Sequence, residues 1–583
     1  MEQLLLSGNA AIARGAWEAG VTVATGYPGT PSTEILENAI GYKHDIYCEW
    51  APNEKVAFEV AAGAALAGAR VITTMKHVGL NVAADPLLTL SYVGTVGGFV
   101  ACVADDPGMH SSQNEQDTRH YARFAKIPIL EPAGSEEARD FVGIGLDLSE
   151  RFHTPVILKS TTCISHSRGL VKPRERIPNP RRIGFEKNPS RFVPIPAWAR
   201  KMRVRVEERM GKLVEASEAS PLNRIEWRDR SLGIITASVA YQHVREIWPE
   251  ASILKLGFSF PFPDKKIAEF AAGVEELLVV EELDPILEEH IRSLGIPCRG
   301  KDVIPALGEL DPTVLRTARR RMEGAFSPSE PGEEISLPGR PPVLCAGCPH
   351  RGIFSILGRL DVVVTGDIGC YSLGTLPPLN RMDTILCMGG GVSLAQGMDK
   401  AGEPKNVVGI VGDSTFFHSG ITGLLDIAYN RGRSTIIVVD NRTTAMTGHQ
   451  DNPGTGRTLM GEPVPAASIA ELGRACGISR VFEVNPYDLE ETGKILEREV
   501  NAEEPSLIIS LAPCVLKERE PLGPVLTVDP ERCRECGRCL KIGCPAIESP
   551  GRMPEISPHL CNGCGICRQI CPFSAIVPSG GEE

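Results

Sequence analysis

Short apolar runs alternate with helix-length amphipathic stretches along this chain, and within the runs there is little polar interruption. Val21 to Thr25, Val71 to Thr74, Gly98 to Val103 and Pro155 to Leu158 form a first set. A strand that is apolar at consecutive positions buries both faces, so these runs predict parallel strands in α/β layers. The rhythm returns at Leu232 to Thr236, Ile253 to Leu256 and Leu277 to Val280, and again at Val362 to Thr365, Val407 to Val411 and Thr435 to Val439. Two stretches break it. The Pro- and Arg-rich segment between Lys172 and Lys212 has poor periodicity and predicts a surface connector; residues 316–342 are polar and proline-rich and predict a linker. The expected division is 1–170, 226–315 and 343–520 as α/β units, 171–225 and 316–342 as connections, and 521–583 as a small final domain. The fold class is α/β, with doubly wound parallel-sheet domains followed by the small final domain. No short-period repeat or low-complexity tract is present.

Size and charge narrow the function classes. At 583 residues the chain exceeds one core, and its formal net charge of −12 argues against a nucleic-acid binder. No apolar run approaches the length of about 18 residues that a membrane span needs. The N-terminus, Met1-Glu2-Gln3-Leu4-Leu5-Leu6, lacks the basic region of a signal peptide. Eighteen cysteines without an export signal lead us to expect a reducing, cytoplasmic setting where thiolates bind metal.

The last domain carries eight of those cysteines in two runs: Cys533, Cys536, Cys539 with Cys544-Pro545, and Cys561, Cys564, Cys567 with Cys571-Pro572. This is the C-x2-C-x2-C-x3-C-P run of bacterial two-cluster ferredoxins, with one extra residue in the first copy. In that pattern each triplet is completed by the other run's fourth cysteine. Cys533, Cys536, Cys539 and Cys571 are expected to hold one 4Fe–4S cluster, and Cys544, Cys561, Cys564 and Cys567 a second. Zinc knuckles are the alternative, but zinc has no use for the tight triplet or the following proline.

The third α/β unit carries Gly412-Asp413-Ser414 after the run Val407 to Val411, and Asp440-Asn441 after Thr435 to Val439. This resembles the thiamine diphosphate signature. A diphosphate needs its charge neutralised, and Mg²⁺ takes hard oxygen ligands; Asp413, the Asn441 amide and the Thr443 backbone carbonyl would supply three. The Gly412 turn and the helix start after it favour the anion. Met388-Gly389-Gly390-Gly391, continuing to Ala395 and Gly397, is similar to the small-residue stretch that precedes this signature. In the first unit Glu54 precedes the small-residue segment Ala61-Ala62-Gly63. It resembles the glutamate that contacts the aminopyrimidine ring, although a mid-helix glutamate is ordinarily a solvated face.

Together these features resemble the 2-oxoacid:ferredoxin oxidoreductases, and within them the large subunit of the indolepyruvate-oxidising members. The resemblance extends over nearly the whole chain. Gly26-Tyr27-Pro28-Gly29-Thr30-Pro31-Ser32 is similar to the family loop whose threonine, here Thr30, approaches substrate. Ser112 to Arg119 matches the stretch ending in the arginine that grips the 2-oxoacid carboxylate, while Lys76-His77 follows a strand where side chains would face the cofactor. The resemblance implies Met446 as a further cofactor contact. It also implies a third, proximal cluster on Cys345, Cys348, Cys370 and Cys514. The implied reaction converts an arylpyruvate and coenzyme A to the aryl-acetyl-CoA with reduction of ferredoxin. A smaller β subunit is the implied partner, in a dimer of heterodimers. Pyruvate, 2-oxoglutarate or branched-chain oxoacids are competing substrates, and a non-redox thiamine decarboxylase is the competing class.

Overall fold

The computed structural model describes residues 3–178, 184–324 and 342–580, which fall into two compact units that part between 324 and 342. Most of the linker expected at 316–342 lies outside the described residues, although Pro312–Met322 forms a helix.

The first unit is built on a seven-stranded sheet. From one edge the order is Phe258–Phe260, Ile129–Leu130, Val156–Thr161, Phe99–Asp105, Val71–Lys76, Val23–Gly26 and Tyr47–Trp50. All neighbours are parallel except the first pair. Val71–Lys76, Phe99–Asp105 and Val156–Thr161 are buried along their full length, as consecutive apolar positions predict. The edge strand Phe258–Phe260 comes from the segment expected as a separate unit, so residues 226–315 share this sheet as well as forming their own. That second sheet orders Glu276–Val280, Asp229–Ala237, Ala251–Leu256 and Arg224–Glu226, with only the last strand antiparallel.

The expected connector 171–225 contains a 24-residue helix, Pro196–Ala219. Met202, Val206, Leu213 and Ser217 form its narrow buried stripe; the other faces are crowded with Arg, Lys and Glu, which hide the helical period from a reading of hydropathy.

The second unit has a six-stranded, all-parallel sheet: Thr384–Ile385, Val362–Gly366, Asn406–Gly412, Thr435–Asp440, Ser506–Leu511 and Arg480–Val484. One core includes Val392, Phe416, Leu424 and Ile436. The other runs continuously from Ile353, Phe354, Val408 and Ile508 into Leu526, Ile542, Ile566 and Ile576 of the cysteine-rich segment. The cysteine-rich segment is thus packed onto the α/β layer through a common core. Leu425, on the helix Ile421–Tyr429 after Asp413, is 53 % exposed.

Candidate cofactor and iron–sulfur sites

The carboxyl ends of Asn406–Gly412 and Thr435–Asp440 lie side by side in register, Gly412 opposite Val439, which brings Asp413 and Asn441 to one sheet edge. In open α/β sheets this edge is where ligands bind. Asp413 is buried, and its Oδ2 accepts from Thr443 N (3.0 Å) and Asn452 Nδ2 (2.9 Å). Burial, with Asp440 close by, pushes its carboxyl up to about 7. Asn441 Oδ1 is buried without a hydrogen-bond partner. An orphaned amide oxygen beside a buried carboxylate is a donor set suited to a hard cation, so these residues fit Mg²⁺. Ser414 Oγ accepts from Thr444 Oγ1 at 2.9 Å, tying the Asp413 turn to the Asn441 loop.

The glycine stretch forms a cradle. Gly389 has φ +76°, and a Cβ there would lie 2.4 Å from Ser419 Oγ; one on Gly391 would lie 3.0 Å from Ile410 O. Ser419 Oγ donates to Met388 O (2.7 Å) from a π-helical turn, Phe416–Gly420, a rare geometry that concentrates at functional sites. Asp367, which sequence reasoning missed, accepts from Gly389 N (3.0 Å) and from the Tyr371 hydroxyl. Burial raises its carboxyl to about 8. Met446 is 47 % exposed on the loop beyond Thr443.

Two cavities mark the cysteine-rich domain. Cys533, Cys536, Cys539 and Cys571 line one of about 340 Å³. Cys544, Cys561, Cys564 and Cys567 line another of about 400 Å³. Each cavity therefore joins three thiols of one run to the fourth of the other. Among the described residues no three Cys, His, Asp or Glu converge as ligands of a single ion; the thiols instead stand around spaces, a donor set suited to a multi-atom cluster. Cys345, Cys348, Cys370 and Cys514 form a third group. Burial pushes Cys348 up to about 12 and Cys370 up to about 11, and Cys345 feels Cys514, Cys348 feels Cys345 and Cys370, and Cys370 feels Cys514, Cys345 and Asp413.

In the first unit, Glu54 is not mid-helix. It opens Glu54–Leu66 behind the N-cap Asn53 and is 4 % exposed. A Cβ on Gly79 would lie 2.6 Å from Glu54 Oε1, so that glycine admits the carboxylate. Lys76 Nζ donates to Ser111 O (2.9 Å), and Ser111 Oγ donates to Thr30 O (3.0 Å). Burial lowers the Lys76 ammonium to about 8 against the pull of Asp106 and Glu54. His77 Nε2 meets Asn114 O at 3.1 Å. Thr30, Glu54, Lys76 and His77 therefore gather at one end of the sheet.

Arg119 does not join them as an open fork. It is 3 % exposed and donates through Nε and Nη2 to Asp117, through Nη1 to Glu281 (2.6 Å), and through Nη2 to the carbonyls of Glu282 and Asp284 (3.0 Å each). Its guanidinium is committed to partners inside the protein in this structure, and the carboxylate-gripping role that the resemblance implies would require those pairs to open. Breaking a buried pair costs about 3–5 kcal/mol. Arg119→Met is therefore expected to lower thermal stability sharply while leaving KM for the 2-oxoacid unchanged in the protein that folds; full stability with a raised KM contradicts this.

Three family models match. The pyruvate flavodoxin/ferredoxin oxidoreductase thiamine-diphosphate-binding model covers residues 14–203, the thiamine pyrophosphate enzyme C-terminal binding domain 367–510, and the 4Fe–4S binding domain 554–577. An indolepyruvate oxidoreductase subunit IorA from Methanothermobacter marburgensis is 43 % identical over 99 % of this chain and 98 % of its own. A protein of the same name from Thermococcus kodakarensis is 40 % identical over 99 % and 97 %. The chain belongs to the IorA family of indolepyruvate oxidoreductase subunits. It is thus a thiamine-diphosphate-dependent member of the 2-oxoacid:ferredoxin oxidoreductases, with a 4Fe–4S domain. A solved 2-oxoglutarate:ferredoxin oxidoreductase from Magnetococcus marinus aligns with a TM-score of 0.47 and 17 % identity, over 56 % of this chain and 65 % of that one. Among the described residues of this family member, no helix is long and apolar enough to cross a membrane.

Proposed function

We propose that this chain oxidatively decarboxylates arylpyruvates, indole-3-pyruvate foremost, to the aryl-acetyl-CoA and passes the electrons to ferredoxin. The observation that carries the redox half is the pair of four-thiol cavities, since decarboxylation without oxidation has no use for them. The aryl side chain rests on the name of the IorA relatives. Bound thiamine diphosphate supplies the electron sink for cleavage of the carboxyl bond.

The chain's own groups have separate tasks in its two units. Asp413 and Asn441, with the Thr443 carbonyl, hold Mg²⁺ and so neutralise the diphosphate. Gly389 to Gly391 and Gly412 let the backbone approach, and Asp367 fixes the Gly389 turn. Glu54 offers a buried carboxyl of the kind an aminopyrimidine ring takes, with Thr30, Lys76 and His77 as polar groups at the same end of the first unit's sheet. Cys544, Cys561, Cys564 and Cys567 hold an inner cluster. Cys533, Cys536, Cys539 and Cys571 hold an outer one, with Cys536 exposed. Cys345, Cys348, Cys370 and Cys514 hold a third beside Asp413. A smaller β subunit completes the enzyme, in the cytoplasm, as a dimer of heterodimers. A panel of 2-oxoacids with ferredoxin reduction as readout tests the substrate: indolepyruvate and phenylpyruvate are expected to exceed pyruvate and 2-oxoglutarate in kcat/KM, and the reverse order defeats the aryl assignment.

Two further outcomes follow from the thiol groups. Anaerobic iron and sulfide analysis is expected to give about 12 irons per chain, four for each four-cysteine site; a firm eight at full activity removes the third cluster. Arg534 and Arg538 border the outer cavity, and Arg532, Lys541 and Arg568 are exposed nearby. Ferredoxin reduction should therefore slow as ionic strength rises. Glu531, Glu535, Glu548 and Glu555 oppose this field, and a salt-independent rate excludes steering.

A further inference from the structure

Arg351 is 2 % exposed and among the largest fully buried side chains of the molecule. Its Nε donates to Cys345 O (3.1 Å), its Nη1 to Ile542 O (2.8 Å), and its Nη2 to Leu344 O. It thus bolts the Cys345–Cys348 turn to the segment just before Cys544. The guanidinium also lines the cavity of Cys544, Cys561, Cys564 and Cys567. The two thiol-bearing loops touch directly: Gly347 has φ +69°, and a Cβ there would lie 2.0 Å from Asn562 Nδ2, in the turn between Cys561 and Cys564. Tyr487 closes the same seam by donating to Gly347 O at 2.9 Å.

No carboxylate pairs with Arg351 among the described residues; burial lowers its guanidinium, and the neighbours that work against this are the thiols Cys544, Cys348, Cys345 and Cys564. A buried cation without an anion is costly, so buried charges are normally paired. Two clusters, each bearing thiolates and gaining negative charge on reduction, would be that anion on both sides. A cation lining such a site stabilises the reduced form more than the oxidised one and so raises the potential of its neighbours.

Resting on the cluster sites proposed above, we propose that Arg351 is a positioning residue for electron transfer, the shared counter-cation of the cluster on Cys345, Cys348, Cys370 and Cys514 and of the inner cluster on Cys544, Cys561, Cys564 and Cys567. With both sites loaded, the thiamine-side cluster on Cys345, Cys348, Cys370 and Cys514 and the inner cluster would supply a one-electron path in which no bond or proton changes hands, and Arg351 would raise the reduction potential of each.

EPR-monitored redox titration of the full enzyme tests this with Arg351→Gln and Arg351→Lys. Gln keeps an amide donor and removes the charge; Lys keeps the charge and loses the fork. Arg351→Gln is expected to lower the reduced fraction of the inner cluster at least about tenfold at a fixed poise, a shift of about 59 mV for one electron. Arg351→Lys should stay close to wild type, and the outer cluster should be unmoved in both. A fully loaded Gln variant with an unshifted inner cluster overturns the proposal. Failure of both variants to load also overturns it, leaving Arg351 as a structural bolt. If Gln fails to load but Lys loads with wild-type potentials, the charge requirement stands. Eight irons in wild-type enzyme would withdraw the thiamine-side cluster while leaving the test on the inner one intact.

Discussion

Asp413→Ala enzyme is expected to lose at least about 10²-fold in kcat while keeping its full iron content. The buried Asp413 carboxylate is the only charged group among the three proposed Mg²⁺ ligands, and a metal that neutralises phosphate charge is worth several kcal/mol, with each ~1.36 kcal/mol a factor of ten in rate. Iron should stay because no cluster thiol is touched. Bound thiamine diphosphate, measured after rapid desalting, should fall in parallel with activity, and raised Mg²⁺ should restore little of it. Asn452→Ala removes one of two donors to Asp413 Oδ2, and the acceptor of Gly454 N, while leaving the carboxylate, so its loss should be smaller and partly recovered by added Mg²⁺. Normal cofactor occupancy with full turnover in Asp413→Ala would displace the site from this sheet edge.

Glu54→Gln is expected to cost about 10²–10⁴-fold in turnover, the range for losing a positioned acid–base group. The substitution keeps the shape that Gly79 admits and leaves the Asn53 cap in place, so stability and cofactor occupancy should change little. The pairing of lost rate with retained thiamine diphosphate separates this group from Asp413. Unchanged turnover would return Glu54 to a structural role at the start of its helix.

Legibility in the sequence followed the locality of each interaction. Parallel strands such as Val71–Lys76 could be read because burial on both faces leaves an uninterrupted apolar run. The grouping of four thiols around each cavity follows short spacings within two runs, which a sequence displays directly. The helix Pro196–Ala219 was hidden because its buried stripe is narrow and its other faces are charged. The return of Phe258–Phe260 to the first sheet depends on pairing with Ile129–Leu130, which no local pattern records. The same holds at the sites. The arginine of the Ser112 to Arg119 stretch is visible, but Glu281, which engages it from 162 residues away, is not. Asn452 lies 39 residues beyond Asp413 and Asp367 lies 22 before Gly389, at separations that no motif marks.

The central claim is that electrons taken from a 2-oxoacid leave through this chain's own clusters. It is tested most directly by mixing oxidised enzyme, free of dithionite, with indolepyruvate and coenzyme A under anaerobic conditions and following cluster absorbance and EPR through one turnover. The clusters should be reduced, with aryl-acetyl-CoA formed in step, and reduction should vanish when the 2-oxoacid is withheld. Release of CO₂ with the clusters remaining oxidised and aldehyde as the product would contradict the claim and make the chain a non-redox decarboxylase.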